Sequence, residues 1–150
     1  MKTIKIAAAA AAVVLLLTAC GKNAESKYDF TMPDSPIEFV SATVADPKDE
    51  SLAYAAIQFN GKTYVSYGTL EGELDPAEVG SRLGYYVQDG EKIEKIGVFP
   101  LTSDPDQNYL FLMDEELVMN EITFFRNSET VGKDITTPSF IKSKNYSYWN

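Results

Sequence analysis

The sequence predicts a mainly β fold of the α+β kind: a single antiparallel β-rich domain over residues 28–150 with one short helix near residues 76–83. Three observations predict it. From residue 37 onward, apolar residues recur with a period of two, the spacing of a strand that buries one face. Two dipeptides, Asn60-Gly61 and Asp89-Gly90, have the composition of tight hairpin turns. Only one segment carries a helix-start pattern.

The first predicted strand begins with Ile37-Glu38-Phe39-Val40, and the first hairpin follows it. Residues 52–59 and 62–67 are rich in β-forming side chains and flank Asn60-Gly61. Asparagine and glycine accept positive φ at both central positions, as a two-residue type I′ turn requires. The spacing therefore predicts two strands joined directly at this dipeptide.

The predicted helix begins at Asp75. Aspartate is a good N-cap residue, Pro76 suits the first helical position, and Glu78 completes a capping box. Gly84 is expected to end the helix after about two turns.

The remaining strands are predicted from apolar runs bounded by turn residues. Asp89-Gly90 is expected to join the strand at residues 85–87 to residues 91–99. Further along, the predicted strands cover residues 109–113, 117–126 and, as a final or edge strand, 139–149.

The N-terminus has the pattern of an export signal. Lys2 and Lys5 precede an uninterrupted apolar run over residues 6–17, which is well short of the ~20 residues that a membrane-spanning helix needs. The run ends in Leu17-Thr18-Ala19-Cys20 followed by Gly21, and Cys20 is the single cysteine of the chain. An intrachain disulfide is therefore impossible.

This tetrapeptide resembles the lipobox of bacterial lipoproteins. The resemblance covers residues 1–21 and implies removal of residues 1–19 as a signal peptide, with diacylglycerol on the sulfur of Cys20 and usually a third acyl chain on the new amine. Residues 20–27 would then be the lipidated cysteine and a solvated tether with a reach of at most ~25 Å. The expected location is the extracytoplasmic face of the cell membrane, with an outer membrane open as the destination where the cell has one.

The charge of the mature chain limits its partners. Loss of two lysines with the signal peptide takes the formal net charge from −9 to −11. A body this acidic is repelled by phosphate backbones and anionic headgroups, so we expect no nucleic-acid partner. Membrane attachment would depend on the lipid, and two or more acyl chains suffice for it.

The residue types exclude most familiar hydrolase mechanisms. The chain has no histidine, and Cys20 is committed to lipid, which removes the usual neutral-pH base and both Ser-His and Cys-His nucleophile pairs. Carboxylates remain: Glu71 and Glu73 alternate on one predicted strand face, and Asp114-Glu115-Glu116 are contiguous. A glycosidase would need two of them facing each other across a cleft, whereas a solvated face is the simpler interpretation.

A second acidic pattern imitates a calcium loop. Asp104, Asp106, Asn108 and Glu115 occupy liganding positions of such a loop, but Tyr109 stands where a glycine must make the sharp turn. We expect an ordinary acidic turn, and neither a metal ion nor another cofactor is predicted.

Aromatic residues are the other conspicuous class, with nine tyrosines, eight phenylalanines and one tryptophan. Tyrosine offers a large contact area and a hydroxyl at little entropic cost, which favours recognition surfaces. The candidates for a binding surface are Tyr64, Tyr67, Tyr85, Tyr86, Tyr146, Tyr148 and Trp149. The alternative is that they are half-buried strand residues, with Trp149 pinning the end of the chain to the body.

These observations predict a membrane-anchored, non-catalytic binding module whose partner is a protein or an envelope glycan. One subtype is an inhibitor or immunity lipoprotein that captures a basic enzyme or toxin, since acidic charge speeds that encounter. Two alternatives stay open: a carboxylate-dependent glycan hydrolase and a receptor for a small ligand, which would need a concave, mostly apolar pocket.

Overall fold

A computed structural model describes residues 27–116 and 121–150. The fold is mainly β, with eight strands and three short 3-10 turns among these residues. The strands are β1 (Ile37–Ala45), β2 (Ala53–Phe59), β3 (Lys62–Leu70), β4 (Gly84–Gln88), β5 (Glu91–Pro100), β6 (Tyr109–Asp114), β7 (Thr123–Asn127) and β8 (Ile141–Ser143). The turns are Pro76–Glu78, Ser128–Thr130 and Ser147–Trp149.

All eight strands belong to one sheet, which closes on itself. Its order is β2-β1-β4-β5-β6-β7-β3, and a further pairing of β2 with β3 completes a barrel of seven strands. The short strand β8 is outside that ring and pairs with the end of β3. Closure removes most of the open edges that a sheet of this size would otherwise expose.

Both predicted hairpins are confirmed. Phe59 pairs with Lys62 across Asn60-Gly61, whose φ angles are 47° and 75°. Gln88 pairs with Glu91 across Asp89-Gly90, whose φ angles are 52° and 79°. Positive φ at both central positions is the requirement from which the turns were predicted.

The expectation of a purely antiparallel sheet is wrong at one pairing. β1 and β4 run parallel, with Ile37 opposite Gly84 and Val40 opposite Val87. A closed ring of seven strands cannot alternate direction at every pairing, so at least one pair of neighbours has to be parallel. A side chain at Gly84 would place its Cβ 1.9 Å from the carbonyl oxygen of Ile37, so the close approach of the two strands requires glycine.

The predicted helix is wrong as well, because residues 76–83 form only the 3-10 turn Pro76–Glu78. Asp75 does cap it, accepting a 2.9 Å hydrogen bond from the Ala77 amide. Val79 is already extended and forms a bridge with Leu101, and Gly84 begins β4. Pairing with the end of β5 thus takes the backbone groups that a second helical turn would have used.

The later strands agree with the sequence in part. β6 covers the predicted run at residues 109–113, and all six of its residues are buried. The predicted strand at residues 117–126 corresponds to β7, while residues 117–120 lie outside the described part of the chain. Of residues 139–149 only Ile141–Ser143 is a strand, and Ser147–Trp149 is a 3-10 turn.

Two apolar clusters lie on opposite faces of the sheet. The interior cluster takes side chains from all seven barrel strands: Phe39, Ile57, Tyr64, Val98, Leu110, Leu112 and Phe125, with Tyr86 packed against them. The outer cluster is built on Phe99, Tyr109, Phe111, Met113 and Phe124. Segments outside the ring cover this second cluster through Tyr28, Phe30, Leu74, Val79, Leu101, Ile135, Phe140 and Ile141.

Within the described residues, no helix combines the length and the hydropathy that crossing a bilayer requires. Residues 1–26, over which a signal peptide, the lipidated Cys20 and most of a tether are predicted, lie outside the described residues.

Candidate functional site: the C-terminal aromatic cluster

The last strand and the segment after it bring aromatic side chains together on the outside of the barrel. β2 pairs with β3 only over residues 62–65, and β8 occupies the same side of β3 over residues 68–70. The chain then turns at Asn145, whose φ is 54°, and the 3-10 turn Ser147–Trp149 packs beside β2 and β3.

Five rings form what we call the C-terminal aromatic cluster: Tyr54, Tyr67, Tyr146, Tyr148 and Trp149. Each is half-buried, so each keeps part of its ring exposed to solvent. The ring centroids are separated by 4.9 Å for Tyr54–Tyr146, 6.1 Å for Tyr54–Tyr148, 4.8 Å for Tyr148–Trp149 and 5.8 Å for Tyr67–Trp149. Such tilted and edge-to-face contacts stabilise the arrangement of the rings.

A buried arginine lies beneath two of these rings. The guanidinium carbon of Arg126 is 4.8 Å from the ring centroid of Trp149 and 5.4 Å from that of Tyr67. Its Nε donates to the hydroxyl of Thr130 at 2.8 Å, and a terminal nitrogen donates to the Thr130 carbonyl at 2.9 Å. The cation therefore has a fixed position and attracts both ring faces.

A buried carboxylate holds the other end of the cluster. Asp46 accepts hydrogen bonds from the hydroxyls of Ser147 and Tyr54, the latter at 3.0 Å, and from the Lys48 amide at 2.8 Å. The hydrogen bond from Ser147, followed by that from the Lys48 amide, holds the pKa of Asp46 below its usual range. Trp149 adds a third attachment, since its indole N–H donates to the Ser66 carbonyl at 2.9 Å.

Comparison with known proteins adds no further identification: no protein-family model, curated protein or solved structure matches this chain.

The structure brings together four of the seven predicted aromatic residues: Tyr67, Tyr146, Tyr148 and Trp149. Tyr64 is only 1 % exposed within the interior cluster, and its hydroxyl donates to the Gln107 carbonyl at 2.7 Å. Burial raises the pKa of Tyr64 to about 12. These facts place Tyr64 away from any surface.

The other two predicted tyrosines lie on β4. Tyr85 is buried and donates to the carboxylate of Glu38 at 2.6 Å. Tyr86 is half-buried and packs against the interior cluster. Sequence reasoning missed Tyr54, although its place in the β-rich run at residues 52–59 was the available signal.

Of the four residues that imitate a calcium loop, Asp104, Asp106 and Asn108 share one turn, whereas Glu115 lies elsewhere. Asp104 is buried and accepts from the Tyr109 amide at 2.7 Å and from Asn108 at 3.2 Å, so its carboxylate closes a turn. Glu115 follows the opposite end of β6 and pairs with Arg82 at 2.8 Å. Asp106 is exposed in the turn. No group of three or more His, Cys, Asp or Glu residues within the described ranges could hold a metal ion.

The other carboxylates noted in the sequence lie beyond the end of β3 and at the end of β6. Glu71 and Glu73 are exposed after the end of β3, not on a strand face. Asp114 is buried and accepts from the Glu116 amide at 2.8 Å. Lys95 lies 4.0 Å from the Asp114 carboxylate and 3.5 Å from that of Glu116, so these two acidic residues share one lysine.

The surface of the described residues includes the two grooves that follow. One of about 440 Å³ lies where the described chain begins and is lined by Lys27, Tyr28, Asp29, Pro76, Val79 and Gly80. The other, of about 380 Å³, follows the first hairpin and is lined by Val40, Gln58, Phe59, Asn60, Gly61, Lys62 and Thr63. Both mix charged or amide groups with apolar ones, and neither includes a member of the C-terminal aromatic cluster.

Proposed function

We propose that this protein is a membrane-anchored extracytoplasmic lipoprotein, held by diacylglycerol on Cys20, and that it acts as a non-catalytic binding module for a protein or an envelope polymer. The observation that carries the binding proposal is the C-terminal aromatic cluster: five half-buried rings held by Arg126 and Asp46. Rigid, partly exposed tyrosine and tryptophan side chains are the residues that most often dominate a recognition surface.

The start of the described chain supports a short distance between body and membrane. Tyr28 donates to the Leu74 carbonyl at 2.9 Å, and the ring of Phe30 packs edge-on against Phe99 at 5.6 Å. Arg82 also donates to the Phe30 carbonyl at 2.9 Å. With the chain fixed at these residues, the extended tether would keep the barrel within ~25 Å of a lipid on Cys20.

The charge supports a basic partner, including the immunity type in which the lipoprotein captures a cationic enzyme or toxin. The mature chain carries twice as many acidic as basic residues once Lys2 and Lys5 are removed. Electrostatic attraction of this kind raises the association rate and weakens as salt increases. An affinity for basic envelope proteins that did not change with salt would exclude this subtype.

Metabolic labelling with radioactive palmitate tests the anchor. The native chain should incorporate label and sediment with membranes, whereas the Cys20→Ser chain should be unlabelled. A native product that stayed unlabelled and soluble would contradict the anchor without bearing on the binding surface.

Capture from detergent-solubilised envelope, quantified against surface variants, tests the binding module. We expect Tyr67→Ala to weaken capture of the partner by ~10-fold or more, since an aromatic hot spot contributes more than ~1–2 kcal/mol. Val40→Ala is the matched control, because Val40 is 44 % exposed on β1 and has no part in the cluster. Equal capture by Tyr67→Ala and the native chain would remove the cluster as the binding surface.

A further inference from the structure

The edge of β3 beside the cluster is completed by the chain's own C-terminal segment. β2 separates from β3 after Val65, and residues 68–70 pair on that side with Ile141–Ser143. Without β8, this part of β3 would present unpaired backbone groups. Such an edge accepts an extended peptide by strand addition.

The segment that covers the edge, residues 139–150, is held mainly by partly exposed groups. Ile141 is its single buried residue, and the 3-10 turn Ser147–Trp149 has none. Its backbone reaches β3 through the Lys144 amide, which donates to the Tyr67 carbonyl at 3.1 Å. Segments with so few buried contacts open locally at a lower free energy than the surrounding core.

Release of this segment would leave no buried charge without a partner. Arg126 would keep its hydrogen bonds to Thr130, and Asp46 would keep the Lys48 amide while gaining water. What becomes available is a site with four parts: the backbone edge of residues 68–70, the hollow left by Ile141 in the outer cluster, the ring face of Tyr67 and the Arg126 cation.

We propose that the groove filled by residues 139–150 is a peptide-binding site, kept closed by the chain's own C-terminus and opened for an extended segment of a partner protein. This proposal rests on the proposed function, for which it names the partner as a polypeptide that adds a strand to β3. Opening withdraws Tyr146, Tyr148 and Trp149 from the cluster, and the rings that stay for the partner are Tyr54 on β2 and Tyr67 on β3. The segment that fits carries a branched aliphatic side chain at the strand and an aromatic side chain several residues later, as Ile141 and Trp149 do now.

The absence of a side chain at Gly68 allows the neighbouring strand to approach β3 closely. A Cβ at this position would lie 2.3 Å from the carbonyl oxygen of Lys142, which is a backbone atom and cannot move aside alone. Gly68→Ala should therefore exclude any strand from this edge, whether it is β8 or a partner's.

Hydrogen exchange of the mature chain carrying Cys20→Ser tests whether the segment opens alone. We expect the Lys144 amide to exchange ~100-fold faster than the Phe111 amide of β6, with little dependence on denaturant, because its opening exposes little surface. Equal rates with equal denaturant dependence would show that the segment opens only when the barrel unfolds, and would overturn the proposal.

A synthetic peptide of residues 139–150 tests the site itself. The chain has one tryptophan, so in a Ser147→Ala/Trp149→Ala chain the peptide carries the only indole, and its fluorescence reports binding. The substitutions are needed because an attached segment competes at an effective concentration on the order of millimolar. We expect a saturable blue shift of the indole fluorescence. The shift should be absent for a peptide that carries Ile141→Asp, and absent for the native peptide when the chain also carries Gly68→Ala.

Three results would count against the proposal. In the double variant, a Lys144 amide that kept its native protection would show that the segment is not releasable. An unprotected segment without peptide binding, or binding unaffected by Gly68→Ala, would show that no strand site exists. Should the double variant fail to fold, exchange in the chain with Cys20→Ser alone decides the question. Capture of an envelope partner despite a negative peptide result would leave the proposed function standing while this inference fails.

Discussion

Removal of the Arg82 guanidinium is the perturbation for which the structure gives the clearest magnitude. The side chain is 1 % exposed and donates to the carbonyls of Phe30 and Gly84 at 2.9 Å each, to the Glu94 carbonyl, and to Glu115 at 2.8 Å. It thus joins the N-terminal segment to β4, to β5 and to the end of β6.

Arg82→Met keeps most of the stem volume but removes every donor, so three carbonyl groups lose their partner. Each hydrogen bond from a charged donor contributes about 1.5–3 kcal/mol, but such values are not additive. A buried carbonyl left without its partner costs about 1–3 kcal/mol, and three carbonyls lose the Arg82 donor. We therefore expect Arg82→Met to lower the free energy of unfolding by about 3–5 kcal/mol.

Glu115→Gln should lower the free energy of unfolding by no more than about 1 kcal/mol, because the Glu115 side chain is 44 % exposed and solvent screens the pair. Lys95→Met is a second control, since Lys95 is half-exposed and its nearest carboxylate oxygen is 3.5 Å away. Urea denaturation at pH 7, followed by the fluorescence of Trp149, measures all three. A loss below about 1 kcal/mol for Arg82→Met, or equal losses for Arg82→Met and Glu115→Gln, would refute the reasoning.

The remaining predictions concern pH and the core. Ser147→Ala should lower the free energy of unfolding at neutral pH, because it removes the hydrogen bond that most lowers the pKa of Asp46 on folding. The difference in free energy of unfolding between the variant and the native chain should vanish in an acid titration, as pH falls through the pKa of Asp46 in the folded state. Burial raises the pKa values of Tyr64 and Tyr109 to about 12, so the folded state loses stability as pH rises from the unfolded value of about 10 through 12. Phenolate absorbance of the folded chain should show Tyr64 and Tyr109 ionising later than exposed tyrosines. Phe111→Ala should cost about 3–5 kcal/mol in urea denaturation, since the ring is fully buried, and a cost under 1 kcal/mol would contradict its place in the core.

Features that depend on adjacent residues were predictable. Asn60-Gly61 and Asp89-Gly90 place glycine or asparagine-like residues where φ must be positive, and that demand is the same in any tertiary context. β6 was predictable because a short apolar run between turn residues is typical of a strand that is buried on both faces.

Features that depend on contacts between residues far apart in sequence were not predictable. Asp75-Pro76 does begin a turn, which ends where Val79 pairs with Leu101. The residues around Val79 carry no pattern that predicts this pairing. The parallel pairing of β1 with β4 likewise follows from barrel closure. Arg82 and Arg126 are buried although arginine is usually exposed, so composition gave no reason to select them.

The candidate site shows the same division. A period of two places Tyr64 and Tyr67 on opposite faces of β3, but it does not say which face is the interior of the barrel. Tyr64 is consequently a core residue, whereas Tyr67 belongs to the C-terminal aromatic cluster.

By itself the sequence determined the turns, the mainly β character and the pattern that predicts a lipid on Cys20, because each of these depends on side chains that are neighbours along the chain. Only the tertiary structure decided that the sheet closes into a barrel, that β8 completes an edge of β3, and that Tyr54 meets Tyr146 and Tyr148. These contacts join residues far apart in sequence, and their stability comes from burial and strand pairing that exist only once the barrel has closed.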